Sequence, residues 1–522
     1  MSETMGASPA FVASPPPSTW MAARTARWIG IAAFLFFALT GGGRLVGSDE
    51  VTMLDLSHAL LHGGIAVPVG ATLDGPDSRH YSKNAAGQAV IALPLVAAAE
   101  ATAARLPLPE HRRMLAVRFV VSFFNALVTA LLLAAFYGAV RALGVRARPA
   151  LAATVMLGLT TPVWVYAKSF MAEPLQALGL LLALAGSARA AAGAGRGAWW
   201  AGLGVVLAVS VKLSMLPLAL VCLWPLRGAR PTAWFAPLVM LALALAGHAV
   251  YDQARFGTPF ETGYGAQATP TAYSTPLLVG LYGLLLSSGK GIAWFAPALW
   301  LAPAGWRAMR RVGGAQARAA VTVALAGAIA VLLYAKFEHW AGDGSFGPRY
   351  LVPLLPLAFV LVAFALNEAT GLRKALATVL AVAGLAVQLG GVAIYFGAQM
   401  REAGDYPYTR ALNDPHFMSE SHFNPYFSPI AGHWRMLARN TGEHLARRGP
   451  KLSGEGEVDA RVGVSTQDQQ ALLHALDFWW LYAVYAGVPL VPLLAAFAVL
   501  LFVTGWSALQ MLAVAADETH AP

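Results

Sequence analysis

The sequence predicts an all-α fold: a polytopic integral membrane helix bundle of about twelve transmembrane helices with external amphipathic helices. The chain of 522 residues is 57% hydrophobic and only 12% charged, whereas soluble domains carry about 25% charged residues. The charge-free runs Phe119–Val140, Ala375–Gly397 and Phe478–Thr504 exceed the roughly 20 helical residues that cross a hydrocarbon core. No run alternates like a barrel strand, and isolated strands leave backbone groups unpaired in lipid.

Loop charges orient the predicted spans. These spans lie near residues 28–42, 119–140, 149–167, 174–188, 197–211, 213–226, 231–251, 291–306, 319–335, 350–366, 375–397 and 478–504. With the N-terminus inside, the cytoplasmic loops hold many basic residues and, among acids, only Glu368, as the positive-inside rule requires. Those basic residues are Arg24, Arg27, Arg141, Arg146, Arg148, Arg189, Arg196, Arg227, Arg230, Arg307, Arg310, Arg311, Arg318, Arg373 and Lys374.

Two apolar segments are ambiguous. If residues 88–104 crossed the membrane, every later loop would change sides, so we place them outside as a surface or re-entrant helix. Residues 197–226 are interrupted only by Lys212 and could be one tilted span. Basic pairs at both ends favour two short helices that turn near Lys212, each reaching only about 22 Å at 1.5 Å per residue. Such a break in a helix is tolerated inside the membrane where the backbone lines a polar cavity.

The spans divide the chain into successive regions. We expect a disordered cytoplasmic N-terminus at 1–27, a membrane module at 28–397 with a first external loop at 43–118, an external segment at 398–476, a last transmembrane helix at 477–504 and a cytoplasmic tail at 505–522. The heavy use of Ala, Gly and Arg is typical of a GC-rich bacterial genome. The expected location is therefore a bacterial inner membrane.

Composition and motifs argue against several other classes of protein. The net charge of +10 is explained by the basic cytoplasmic loops, and without a basic cluster interleaved with aromatics it does not indicate nucleic acid as a partner. Cys222 is single and lies in an apolar run, which indicates packing. The chain has no Gly-x-Ser-x-Gly nucleophile, Cys-x-x-Cys or Rossmann fingerprint. The histidines show no metal-ligand spacing, so no metal site is predicted.

Acidic residues next to the membrane are costly to place and are candidates for function. Asp49 and Glu50 follow the first span directly, and Glu173 precedes a later one. The functional interpretation makes Asp49 a general base, with Glu50 shaping its pKa. The alternative is helix capping around Ser48 and Asp49. For Glu173, an acceptor-binding or metal-binding role competes with a dipole-stabilising position beside Pro174.

Two lysines are candidates for binding an anion. Lys83, preceded by Tyr81 and followed by Gly87, suits a lipid phosphate, although a lysine that simply reaches the headgroups is the alternative. Lys212 is a single charge between apolar runs, which favours function over the same structural alternative.

Two later turns add further candidates. Lys290 lies in a Ser-Ser-Gly-Lys-Gly turn whose donors suit an anion but whose spacing differs from a P-loop. Arg349 follows a Gly-Pro turn at the head of a span, where it would recognise phosphate or pair with Asp343. His339 and Trp340 could stack on a sugar, although aromatic residues are common at membrane interfaces.

Taken together, the segments resemble the GT-C superfamily of polytopic glycosyltransferases over about residues 28–400. The nearest branch contains protein O-mannosyltransferases and the aminoarabinose transferase of lipid A. The features that carry the resemblance are Asp49-Glu50, Leu60-Leu61-His62-Gly63-Gly64, Tyr81-x-Lys83 with Gly87 and Pro94, Glu173, the run Tyr251–Tyr264, Gly289-Lys290-Gly291, and Phe346-Gly347-Pro348-Arg349-Tyr350.

The resemblance implies an inverting transfer of a sugar from a polyprenyl-phosphate donor on the external face. Asp49 matches the family's catalytic aspartate and Lys83 its phosphate-binding cation, whereas Glu173 stands where the lipid A branch has an aspartate. The acceptor would be a glycan, a lipid or a protein. No cofactor is required, and a divalent metal is compatible. A lipid-linked sugar flippase and a non-catalytic envelope-assembly protein are the alternatives.

Overall fold

The structure, a computed structural model, describes residues 19–45, 47–68, 72–405, 410, 414, 416–453, 465 and 468–520. Most of the predicted disordered N-terminus, 1–27, and parts of the predicted external segment, 398–476, lie outside the described residues. Where the N-terminal prediction can be compared, it is wrong, because residues 19–27 belong to the first helix.

The described residues are mostly helical. The first half contains α1 (Thr19–Leu39), α2 (Ser48–Leu61), α3 (Gly87–Arg105), α4 (Glu110–Val121), α5 (Phe124–Ala142), α6 (Ala147–Leu159), α7 (Val163–Ala167), α8 (Glu173–Ala191), α9 (Gly197–Val211), α10 (Leu216–Cys222) and α11 (Phe235–Phe256). The second half contains α12 (Leu277–Leu285), α13 (Ile292–Phe295), α14 (Ala302–Val312), α15 (Gly314–Lys336), α16 (Leu355–Asn367), α17 (Gly371–Ala393), α18 (Phe396–Glu402), α19 (Ser419–Phe423), α20 (Pro429–Leu445), α21 (Trp479–Tyr485) and α22 (Leu490–His520). Strands β1 (Thr72–Asp74) and β2 (His80–Ser82) pair antiparallel, with Leu73 opposite Tyr81.

Apolar helices dominate the described part of the chain. Nine helical stretches there are long and apolar enough to cross a membrane, and the shorter apolar stretches 147–159, 197–211 and 213–228 accompany them. The prediction of an all-α, multi-pass membrane bundle is therefore confirmed. The number of twelve spans stays a prediction.

Ion pairs sort the ends of the helices into two groups. At one end, which we call the site end, Arg44 follows α1 and pairs with Asp477 just before α21 at 2.8 Å. At the opposite end, Arg141 in the last turn of α5 pairs with Glu518 near the end of α22 at 2.7 Å. Near the start of α1, Thr25 Oγ1 donates to Glu518 Oε2 at 2.7 Å. Helix α1 therefore has its C-terminus at the site end, and α5 and α22 have theirs at the opposite end.

Helix α3 was predicted to stay outside the membrane, although its length and composition suffice for a span. Arg349 bridges Asp49 and Glu173, so these residues share the site end. Between them the chain passes α3, then α4 and α5, then α6 and α7. If the last two pairs each cross once, a crossing by α3 would leave Glu173 at the opposite end. The bridge therefore favours the predicted position of α3.

Helices α8 and α9 lie close together because glycines face backbone. A Cβ on Gly186 would lie 2.3 Å from the Ala201 nitrogen, and one on Gly204 would lie 2.2 Å from the Ala183 nitrogen. Small residues let membrane helices pack through direct backbone contact. This pair carries Glu173 at the start of α8 and places Lys212 directly after α9.

Several predicted helix boundaries need correction. The span expected at 149–167 is divided into α6 and α7 before Pro162, and the span at 291–306 is interrupted by a 3₁₀ turn that begins at Pro297. Proline lacks the amide hydrogen that continues a helix. The region expected to be a tail, 505–522, is helical through residue 520, because α22 continues to His520. Glu518 is buried there against α5.

Candidate functional site

The first acid of the site lies in the first turn of α2. Gly43 adopts a left-handed φ of 68° after α1, which glycine tolerates without steric cost, and α2 begins at Ser48. Asp49 has a side chain that is 23% exposed. Its carboxylate faces Arg349, Lys83 and Asn84, so its contacts are not those of a helix cap.

Glu50, predicted to act with Asp49, has a different environment. Its Oε2 accepts a hydrogen bond from the Gly47 amide at 2.6 Å, and its Oε1 accepts one from the Phe170 amide. The residue is only 1% exposed. These contacts attach the start of α2 to the turn before α8. They favour a structural role for Glu50 over the predicted catalytic one.

Arg349 bridges the two acids of the site. The tight turn at Gly347 (φ 67°) and Pro348 places Arg349 at the start of the 3₁₀ turn that leads into α16. Its Nε donates to Glu173 Oε1 at 2.6 Å, and its Nη2 donates to Asp49 Oδ2 at 3.2 Å. The alternative pairing with Asp343 is therefore replaced by a bridge that joins residues 300 positions apart.

The segment between β2 and α3 supplies the second cation. Lys83 Nζ lies 3.7 Å from Asp49 Oδ1. The neighbouring Asn84 donates from Nδ2 to the same oxygen at 3.4 Å. The backbone amide of Asn84 donates a hydrogen bond to Ser82 Oγ at 3.1 Å. Asn84 was not predicted as a site residue. Its position beside Lys83 was the only signal, since asparagine is also common in turns.

The charges around Asp49 determine its protonation state. Burial raises the pKa of the Asp49 carboxyl, but the charges of Arg349 and Lys83, together with hydrogen bonds from Asn84 and Arg349, outweigh burial and lower the pKa to about 2. Asp49 is therefore ionised throughout the physiological pH range. It can accept a proton readily only if a bound group competes for the neighbouring cations.

Lys212 approaches the site from the break between α9 and the next helical segment. Its backbone is extended (φ −157°), which ends α9 and begins a new turn. Its Nζ lies 4.9 Å from the centre of the Tyr350 ring. Burial and the nearby charge of Arg349 lower the pKa of Lys212. The negative charges of Glu173 and Asp49 oppose this shift, and the resulting pKa is about 8.

Asp49, Asn84, Glu173, Lys212, Tyr264 and Arg349 line one narrow cleft together with apolar residues of α2 and the 170–172 turn. Its volume of about 30 Å³ holds a water molecule or two and not a sugar. A larger cavity of about 1630 Å³ lies at the opposite end, lined in part by Arg141, Arg189 and Lys374. We assign the candidate site to the smaller cleft, because the acids and cations converge there.

Lys290 lies outside the cleft, contrary to the prediction of a role in donor binding. Its fully buried ammonium donates to the Ser345 carbonyl at 2.6 Å and the Asp343 carbonyl at 3.0 Å. Burial lowers the pKa of Lys290 to about 7, although Asp343 opposes the shift. Lys290 therefore supports the turn that precedes Arg349.

Three aromatic candidates are also absent from the described lining of the cleft. The Tyr81 hydroxyl donates to Asp77 Oδ2 at 2.7 Å in the β1–β2 hairpin. His339 lies 3.4 Å from a Glu338 oxygen, and Trp340 packs on Phe423. Their side chains make these local contacts, and their roles in substrate binding stay predictions.

A second charged cluster, missed from the sequence, supports the site end. Asp477 pairs with Arg44 and Lys168, each at 2.8 Å, and accepts from the Tyr482 hydroxyl at 3.0 Å. Lys168 also donates to the Val392 carbonyl at 2.7 Å. The cluster joins the end of α1, the turn before α8 and the chain before α21. Its signal was the placement of each charge beside an apolar run.

Comparison with known proteins gives only distant likenesses. No family model matches the chain, and no curated protein matches it significantly. The structure is similar to that of ArnT from Cupriavidus metallidurans bound to undecaprenyl phosphate, with 15% identity and a TM-score of 0.48 over 86% of this chain and 84% of that one. It is also similar to an Archaeoglobus fulgidus oligosaccharyltransferase in the apo form, with 12% identity and a TM-score of 0.41 over 80% and 63%. At these TM-scores the two likenesses carry no argument about activity.

Proposed function

We propose that this chain is a membrane glycosyltransferase that moves a sugar from a polyprenyl-phosphate donor to an acceptor hydroxyl at the site end. One observation carries the proposal. A partly exposed aspartate, Asp49, shares a cleft with Arg349 and lies beside Lys83. A carboxylate can accept the proton of a hydroxyl, and the two cations can receive a phosphate that leaves.

The reaction is a single displacement at the anomeric carbon. Asp49 accepts the proton of the acceptor hydroxyl while the hydroxyl oxygen forms a bond to that carbon. The bond from carbon to the phosphate oxygen breaks, and its electron pair leaves with the polyprenyl phosphate. Attack from the face opposite the phosphate inverts the anomeric configuration, through an oxocarbenium-like transition state. Lys83 and Arg349 stabilise the charge that develops on the leaving phosphate.

The same cations couple donor binding to the basicity of Asp49. In the structure they hold the pKa of Asp49 at about 2, despite the opposing effect of burial, where a carboxylate is a weak base. A donor phosphate beside Lys83 and Arg349 would add negative charge and weaken their hold on Asp49. The pKa of Asp49 would then rise, so the base becomes effective only when the donor is bound.

Donor access requires the cleft to open, because about 30 Å³ does not hold a sugar phosphate. Beside the cleft, the side chain of Lys83 is 38% exposed, compared with 23% for Asp49 and 16% for Arg349. Long lysine side chains change rotamer readily and bind phosphate as a point charge. We assign the first contact with the donor to Lys83. Following the loop charges, we place the site end at the external face of a bacterial inner membrane.

The test compares two isosteric variants of the first external loop. Asp49→Asn removes the base, whereas Asp74→Asn removes an exposed carboxylate that pairs only with His80 among the described contacts. Purified protein is mixed with undecaprenyl-phosphate sugars labelled in the sugar and with detergent extracts of cell envelope as the source of acceptor. We expect Asp49→Asn to transfer about 10²–10⁴-fold more slowly and Asp74→Asn to match the wild type.

Three results would count against this function. One is wild-type transfer by a folded Asp49→Asn variant. The second is movement of labelled donor across proteoliposome membranes without any loss of its sugar, undiminished by Asp49→Asn, which would identify a flippase. The third is the absence of both transfer and movement with every labelled undecaprenyl-phosphate sugar tested, which would identify a scaffold.

A further inference from the structure

Three groups with metal-binding chemistry meet away from the cleft. His58 in the last turn of α2 and His62 just after it face Glu100 on α3. His58 Nδ1 lies 2.7 Å from Glu100 Oε1, and His62 Nε2 lies 3.3 Å from Glu100 Oε2. All three ligand atoms lie within 4.8 Å of one another. No metal-ligand spacing was expected among the histidines, but His58 and His62 are four residues apart and the fold brings Glu100 to both.

The fold explains why these three groups meet. Residues four apart on a helix lie on one face, so His58 and His62 form a pair whose rings are 4.5 Å apart. The third group, Glu100, is 38 residues further along the chain than His62, and only the packing of α2 on α3 brings it near. The histidine pair alone is a weak motif, because the third ligand is far away in the sequence and cannot be identified from it.

The types of the three ligands match the preferences of zinc. Zinc binds imidazole nitrogen and carboxylate oxygen at about 2.0–2.2 Å, and a tetrahedral site therefore separates its ligand atoms by about 3.3 Å. Two histidines and one glutamate form a known three-ligand set that leaves the fourth position to water. The exposed side chains of His58 (50%) and His62 (62%) leave that fourth position accessible.

Other histidines of the chain show what an ordinary ion pair looks like. His80 faces Asp74 at 2.6 Å, and His474 faces Glu443 at 2.8 Å. Each is one histidine with one carboxylate, and neither joins a three-ligand group in the described residues. What distinguishes the α2–α3 cluster is the second imidazole, because it turns a hydrogen-bonded pair into a chelating set.

We propose that His58, His62 and Glu100 bind a divalent cation of the zinc class and clamp α2 to α3. The two helices also meet where Ser57 Oγ donates to the Ala89 carbonyl at 3.1 Å. Asp49 lies at the start of α2, and Asn84 precedes α3. A metal at the far end of α2 would therefore hold fixed the two segments that meet at Asp49. The binding itself does not depend on the proposed function.

Zinc binding is measured directly on the full-length protein in detergent, purified with a tag that contains no histidine and stripped with a chelator. Isothermal titration with zinc chloride gives the stoichiometry, and thermal unfolding with and without zinc gives the stabilisation. The variants are His62→Ala and Glu100→Gln, and the matched control is His80→Ala. We expect each wild-type chain to bind one zinc ion tightly. The His80→Ala control should keep this affinity, and both variants should bind zinc at least 10-fold more weakly.

The outcomes separate a metal site from a hydrogen-bonded surface cluster. Equal zinc binding by wild type and His62→Ala, or no binding below millimolar zinc, would overturn the proposal. If zinc binds with the expected loss in the variants but leaves the unfolding temperature unchanged, the clamp is disproved. Titration with magnesium is the control for the ligand class, since magnesium prefers oxygen ligands, and tighter binding of magnesium would also contradict the assignment.

Discussion

Lys212 is the cleft residue whose charge is most sensitive to pH near neutrality. Burial, with Arg349 nearby, lowers its pKa to about 8 against the opposing effect of Glu173 and Asp49. If the cationic form assists the leaving phosphate, transfer is fully supported below this pKa and lost as the pH rises through it. We expect the rate of transfer to fall between about pH 7.5 and 9, as measured from kcat/KM against pH.

The control for this prediction is Lys212→Arg, because a guanidinium keeps its charge at all accessible pH values. In this variant, the fall in kcat/KM on the basic side of the profile should move to higher pH or disappear, even if the maximal rate is lower. An unchanged limb in Lys212→Arg would show that another group titrates there. The Asp49 carboxyl, with a pKa of about 2, contributes nothing to the free protein's profile above pH 5.

The residues that could be predicted share one property. Asp49, Lys83, Glu173, Lys212 and Arg349 are charges next to apolar runs, and all five meet around one cleft or beside it. Membrane burial makes such charges expensive, so they mark a site. Lys290 is also a charge next to an apolar run, but its ammonium donates to a backbone carbonyl. The sequence cannot distinguish such a structural lysine from one that lines the cleft. Neutral groups such as Asn84 and Tyr264 carry no comparable signal.

At the scale of elements, the α8–α9 contact is specified by glycine. A Cβ on Gly186 would lie 2.3 Å from the Ala201 nitrogen and 2.7 Å from the Gly197 carbonyl oxygen, and backbone cannot move aside as a flexible side chain can. Gly186→Ala should therefore lower stability by about 1–3 kcal/mol, the usual cost of overpacking, although alanine is the better helix former by about 1 kcal/mol.

Gly195→Ala is the matched control, because a Cβ there meets no atom within 4 Å. Thermal unfolding in detergent, followed by circular dichroism, compares the two variants with the wild type. Gly186→Ala should unfold at a lower temperature, and Gly195→Ala should not. Equal unfolding temperatures for all three proteins would mean that α8 and α9 pack less closely than described.

The cluster around Asp477 connects elements that are far apart in the sequence. Its side chain and those of Arg44 and Lys168 are each less than 10% exposed. Removing the carboxylate leaves two buried cations, so Asp477→Asn should destabilise the protein by about 3–5 kcal/mol at neutral pH. The matched control is Asp414→Asn, whose carboxylate is more exposed and faces His416 and Arg410.

The pH dependence of this effect has a definite sign. Burial opposes ionisation of Asp477, but Lys168 and Arg44 outweigh burial and hold the pKa of its carboxyl well below the ordinary 3.8. A lowered pKa stabilises the folded state above the unfolded value and loses that contribution as the pH falls toward the folded value. The difference in unfolding temperature should be constant from pH 8 to 5 and narrow only below about pH 4. Convergence already at pH 6 would contradict this role.

At the scale of the whole molecule, the helical class and the multi-pass membrane character followed from composition and from the long apolar runs. The break at Lys212 was predicted, but the other breaks could not be. Pro162, Pro297 and Gly487 interrupt runs that hydropathy alone joins, and α22 extends past its apolar run because Glu518 finds a partner in Arg141. A long-range ion pair of this kind has no local signature, so the boundaries had to come from the structure.

The bridge from Asp49 through Arg349 to Glu173 also has a consequence for topology. It requires an even number of crossings between α2 and α8, which holds only if α3 does not cross when α4–α5 and α6–α7 each cross once. Single cysteines in a Cys222→Ala background test this, because Cys222 is buried and is the chain's one native cysteine. The probe sites are Ser78 before α3, Ala268 after α11 and Ala194 between α8 and α9, all of them exposed.

We expect a membrane-impermeant maleimide to label Ser78→Cys and Ala268→Cys in intact bacterial cells, and to label Ala194→Cys only after the membrane is permeabilised. If α3 crosses, Ser78 stays outside, but Ala268 and Ala194 exchange sides, since both follow it. Labelling of Ser78→Cys together with Ala194→Cys would therefore place α3 in the membrane and move Glu173 away from Asp49. The cleft cannot exist in that topology, so one labelling pattern decides whether its acids and cations meet.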